Sequence, residues 1–130
     1  MDWDPEFTGR SPMFEPLRGS AAPLRAHRDW PSREALNALL DARNTSNAAG
    51  TRLRLIGSTR EPYEECIRLR GEMPLRERTW HDLFNVLAWL AYPRTKAGLN
   101  AAHFAASSRE RVSTAPDPPS SGRGRARDAL

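Results

Sequence analysis

The 130-residue sequence predicts a mostly α fold with at most a short β segment: an incomplete small α+β domain with a disordered C-terminal tail. Three observations lead there. Apolar residues recur at helical spacing in separate stretches bounded by Pro or Gly, only "TRLRLIG" alternates as a strand does, and beyond Ala106 large apolar residues almost run out.

In chain order, residues 1–30 carry Pro5, Pro12, Pro16 and Pro23 with Trp3, Phe7, Phe14, Leu17, Leu24 and Trp30 between them. Each proline removes a backbone donor and restricts its predecessor, so no long helix can form. The aromatics predict an arm with short helical turns packed on the core. Residues 31–106 form the expected helical core. Pro31 suits a first helical turn, with Ala35, Leu36, Leu39 and Leu40 following at helical spacing as far as about Arg43. "NTSNAAG" is a turn, and Leu53 and Leu55 alternate with arginines in a weak strand. Pro62 opens a second helix bearing Tyr63, Cys66 and Ile67, with Gly71 where a C-cap belongs. "GEMPLRERT" reads as a connection. Thr79 and Asp82 have capping-box spacing ahead of a helix over Trp80 to Ala91, which Pro93 stops. Pro93 can start a further helix towards Ala106. Residues 107–130 are rich in Ser, Pro, Gly and Arg, bury too little to offset their ordering entropy, and are expected to be disordered.

Composition narrows the function. One cysteine, Cys66, allows no internal disulfide and fits a reduced, cytoplasmic setting. One Cys with three scattered His gives no zinc-ligand spacing, so neither metal nor cofactor is expected. The longest apolar run, Val86 to Tyr92, is far below the roughly 20 residues of a membrane span. No apolar stretch behind a basic start suggests a signal peptide. The pI of about 10.2 invites a nucleic-acid reading. The surplus is thin, however: 15 Lys and Arg against 13 Asp and Glu up to Ala106, and five against three beyond it. Nucleic-acid binding through the Arg-rich tail is the weakest of three readings.

The chemistry-bearing residues gather in "TWHDLFNVLAWLAYPRTKAGLNAAH". At about 100° per residue Trp80, Leu83, Phe84, Leu87, Leu90 and Ala91 make an apolar stripe, with His81, Asp82, Asn85, Trp89 and Tyr92 on the other side. Asn85 is a poor mid-helix residue unless it makes a specific bond, and Trp89 is too large to leave its face uncovered. Beyond the proline corner come Arg94, Lys96, Asn100 and His103. Lys96 is the only lysine among 20 basic residues, as a site needing a compact ammonium would keep it. The His81-Asp82 pair resembles that of HD-type metal-dependent phosphohydrolases. Its further ligands could come only from His27 in the arm or from Asp117 and Asp128 in the tail, which argues against that chemistry.

The stretch "PYEECIRLRGEMPLRERTWHDLFNVLAWLAYPRTKAGLN" resembles a bacterial family known as domain of unknown function 3025. The resemblance is carried by Tyr63-Glu64, Gly71 and Pro74, His81-Asp82 with Asn85, Tyr92 to Lys96, and Leu99-Asn100. Trp30-Pro31 and Leu36-Asn37 are similar to earlier family elements. The resemblance implies a longer protein whose next region follows a segment like "RGRARDAL", so the chain is expected to be an N-terminal piece. It implies no activity.

Taken together, the residues suggest a pocket for a small anionic ligand. His81 is the candidate acid–base group, and Asn85, Arg94, Lys96 and Asn100 are the candidate ligand contacts. The rival is a structural module whose polar cluster is an internal hydrogen-bond network.

Overall fold

The computed structural model describes residues 2–113. The arm winds through short 3-10 turns and one α-helical turn, α1 (Arg18–Ala21). Its aromatics are anchored: Trp3 stacks on Trp80 with ring centroids 5.4 Å apart, and Trp30 meets the same ring at 4.7 Å. Trp3 also donates from Nε1 to the carbonyl of His27 at 2.9 Å. Phe7, Ala21 and Leu24 are buried against the core.

Helix α2 (Arg33–Ala42) begins two residues after Pro31, because the Ser32 hydroxyl caps it by accepting from the N–H of Ala35 at 3.1 Å. It buries Leu36 and Leu40. A loop centred on buried Asn47 leads to β1 (Arg54–Ile56). Helix α3 (Tyr63–Arg70) follows and ends on Gly71, whose φ of 70° is left-handed, as a C-cap glycine's commonly is. Strand β2 (Glu72–Pro74) returns parallel to β1, pairing Leu55 with Met73. The connection expected at "GEMP" is therefore a strand. Three residues ending in proline carry no alternation, and the pairing exists only because α3 provides the crossover that parallel strands need. The outer edge of β1 is closed by Asn37 on α2. Its amide accepts from the N–H of Leu55 at 2.7 Å and donates to that residue's carbonyl at 3.3 Å.

Helix α4 (Trp80–Ala91) has the predicted bounds but not the predicted cap. Thr79 occupies the N-cap position, yet its hydroxyl donates to the carbonyl of Arg76 at 2.9 Å and accepts nothing from the helix. The Asp82 carboxylate instead accepts from the Arg76 backbone N–H at 2.7 Å and from its guanidinium at 2.9 and 3.1 Å. A turn running through Arg78, itself at a φ of 64°, brings Arg76 back over the start of α4 and displaces the capping box. The stripe is also broader than the spacing suggested: Trp89 is 1% exposed and belongs to the core with Leu83, Val86, Leu87 and Leu90.

Helix α5 (Pro93–Ser113) continues past Ala106 through residues 107–113, where composition predicts disorder. Arg111 explains part of this: its guanidinium lies 2.7 Å from the Glu65 carboxylate on α3. Arg68 approaches the Phe104 ring at 6.0 Å along the same contact. The remainder of the predicted tail, residues 114–130, lies outside the described residues. The chain is thus mostly helical with one short parallel strand pair.

Candidate functional site

Helices α3, α4 and α5 meet at a polar junction. Tyr92, a single residue, separates α4 from α5, and the N–H of Lys96 donates to its carbonyl at 2.9 Å. That tight corner turns Lys96 and Asn100, one helical turn apart, towards the first turn of α3, where Tyr63 and Glu64 stand. The Lys96 ammonium donates to Asn85 Oδ1 at 2.9 Å, and Asn85 Nδ2 in turn donates to the Tyr63 hydroxyl. Asn100 Nδ2 donates to the Glu64 carbonyl at 3.0 Å and to its carboxylate at 2.7 Å. Lys96 also lies 5.9 Å from the centroid of the buried Trp89 ring. Burial pushes the Tyr63 phenol well above its ordinary value. The nearby charges of Glu64 and Asp82 act the same way, so the ring stays protonated.

Of the clefts that open beside this junction, two also reach Asn85 or Lys96, and Tyr63 and Glu64 line both. One, about 480 Å³, is bordered by Ser58, Thr59, His81, Asp82 and Asn85. The other, about 440 Å³ between α3 and α5, is bordered by Trp89, Lys96, Asn100 and His103. The structure thus divides the predicted site residues. Asn85, Lys96 and Asn100 come together. His81 is exposed on the rim of the first cleft and does not meet Lys96. Arg94 is exposed, lines neither cleft and makes no hydrogen bond or ion pair with the other described residues. Tyr63 and Glu64 are the partners that spacing alone did not reveal. Their signals are the Tyr-Glu pair within the family resemblance and their position opening a helix, and only the tertiary fold brings α3 against α5.

Asp82 has a structural assignment. Burial would raise its pKa, but the hydrogen bonds from Arg76, that residue's charge and His81 outweigh burial and hold it below the ordinary carboxylate range. A carboxyl with a depressed folded pKa contributes stability above its unfolded pKa and loses it as pH falls through the folded value. Asp82→Ala is therefore expected to cost about 1–2 kcal/mol at neutral pH. The gap to wild type should close below about pH 4, as both states become protonated. Urea melts at both pH values check this, and a gap unchanged by acid would contradict the ion-pair account.

Among the described residues no group of three or more His, Cys, Asp or Glu side chains is arranged to hold a metal ion. No helix there is long and apolar enough to cross a membrane.

Fold and junction together define a small α-rich protein with a β-α-β unit, in which three helices enclose a polar cluster beside a cleft. The chain belongs to the family described as Protein of unknown function (DUF3025), whose model matches residues 54–130, from β1 through the whole junction and beyond. No curated protein and no solved structure matches it.

Proposed function

We propose that the cleft between α3 and α5 binds a small anionic ligand through Lys96. One observation carries this reading. The ammonium is partly buried and hydrogen-bonded to a neutral amide, and no carboxylate among the described residues pairs with it. Arg54, Arg70 and Arg76, by contrast, each pair with an acidic side chain. A partly desolvated cation held by a neutral oxygen is left short of negative charge, and an anion entering the cleft supplies it. Asn85, fixed in turn by Tyr63, keeps the ammonium oriented. The proposal is one of binding rather than reaction, because His81 lies at the other cleft. Thermal denaturation in increasing phosphate, acetate and citrate tests it. The melting temperature of the wild type should rise with ligand while that of Lys96→Met does not. Equal responses from the two chains, or none from either, would defeat the proposal.

A second reading, an internal brace, is favoured by the engagement of both ends of the Asn85 amide. Stability separates the two. For a pocket, Asn85→Ala costs about 1–2 kcal/mol by stranding the Tyr63 hydroxyl and the ammonium, while Lys96→Met changes stability by no more than about 0.5 kcal/mol. For a brace, Lys96→Met also costs over about 1 kcal/mol, and the double variant loses less than the sum.

A further inference from the structure

We infer that the ligand of this cleft is a zwitterion, a small molecule carrying an amine as well as its anionic group. The inference rests on the reading of Lys96 as the partner of the anion, and it adds a second subsite on the same cleft. That subsite is built from two groups that need donors. Glu64 lines the cleft, and no cation among the described residues pairs with its carboxylate. Among the described residues its carboxylate accepts a single hydrogen bond, from Asn100. Asn100 is 2% exposed, spends its amide nitrogen on Glu64, and leaves Oδ1 buried with no hydrogen-bond partner. A buried carbonyl oxygen left unpaired is uncommon and unfavourable, because it loses water without gaining a donor.

The demands of the cleft are therefore of opposite kinds. Lys96 calls for negative charge, whereas Glu64 and Asn100 Oδ1 call for N–H donors, preferably charged ones. A simple anion would bring a second negative charge into the cleft of Glu64 and leave the Asn100 oxygen unpaired. A simple amine would leave Lys96 as it is. One molecule bearing both groups satisfies all three, since a protonated primary amine offers three donors. A volume of about 440 Å³ is ample for a molecule the size of an amino acid.

Calorimetric titration of the 130-residue chain can test this with glycine, β-alanine, 4-aminobutyrate and 6-aminohexanoate, each set against the carboxylate of the same length lacking the amine. At least one amino acid should bind about tenfold more tightly than its plain carboxylate, as expected for a charge-assisted contact. Glu64→Gln keeps an acceptor for Asn100 but removes the charge, and it should abolish that preference while carboxylate binding persists. Lys96→Met should lose both series. Equal affinity of the wild type for the two series would overturn the zwitterion and leave the anion site standing, with water the natural partner of Asn100. Binding of neither series would remove both readings. A preference that survives in Glu64→Gln would also overturn the inference.

Discussion

Asn47→Ala is expected to lower stability by about 3–4 kcal/mol, a large loss for one polar side chain. Asn47 is 5% exposed, and its amide makes four hydrogen bonds. Nδ2 donates to the carbonyls of Ile67 and Arg68 at 2.9 and 3.1 Å in the last turn of α3, where the Ile67 carbonyl also accepts from the N–H of Gly71. Oδ1 accepts from the N–H groups of Ala49 and Thr51, both at 2.9 Å, and so closes the loop before β1. Alanine removes all four bonds at once. The loop can relax towards water, so the cost stays below four independent losses. Asn47→Asp keeps the two accepted bonds but sets a carboxylate oxygen against the two carbonyls, so at neutral pH it should be no more stable than alanine. Urea unfolding with an unchanged m-value is the check, and a loss under about 1 kcal/mol would mean that other contacts hold the loop to α3.

Gly71→Ala should cost about 2–4 kcal/mol by a different route, through backbone and sterics rather than lost bonds. At a φ of 70° a side chain is already strained. A Cβ there would also lie 2.6 Å from the Arg52 carbonyl oxygen and 2.9 Å from Thr51 Cγ2. The nearest obstacle is backbone, so relief requires the chain before β1 to move. The Gly71 carbonyl accepts from the N–H of Arg54 at 2.8 Å, and that movement would disturb the start of the strand pair. A melting temperature equal to that of the wild type would show that this crossing is looser than its distances imply.

The two positions also show what the sequence carries and what it does not. Gly71 was readable as the end of α3, because Pro62 and a C-cap glycine bracket a helix by local chemistry alone. The bounds of α4 were readable for the same reason, with Thr79 before it and Pro93 after it. In the sequence Asn47 shows only as a turn residue, since its partners on α3 are 20 and 21 residues away. Strand β2 is not legible in the sequence, because its pairing is long-range and three residues ending in proline are too few to show an alternation. The capping box failed through a competing partner: Thr79 and Asp82 have the right spacing, but Arg76 takes the carboxylate first. At the junction, the i, i+4 relation of Lys96 and Asn100 and the oddity of Asn85 within α4 were legible. Their convergence on Tyr63 and Glu64 was not, because it depends on how α5 lies across α3. His81 and Arg94 share the same stretch of sequence but not the same cleft. Proximity along the chain does not by itself place either beside Lys96.

The most direct test of the Lys96 site uses the fact that the chain has no other lysine. Protein grown with 13C,15N-labelled lysine gives one side-chain signal, so the ammonium-bearing carbon can be followed by NMR without assignment. Titrating in phosphate and then the best-binding amino acid should move that single resonance along a saturable curve, and Asn85→Ala should weaken the response by releasing the ammonium from its fixed position. A Lys96 signal that stays in place, or drifts linearly with ionic strength and without saturation, would contradict the account and leave the junction as a brace alone.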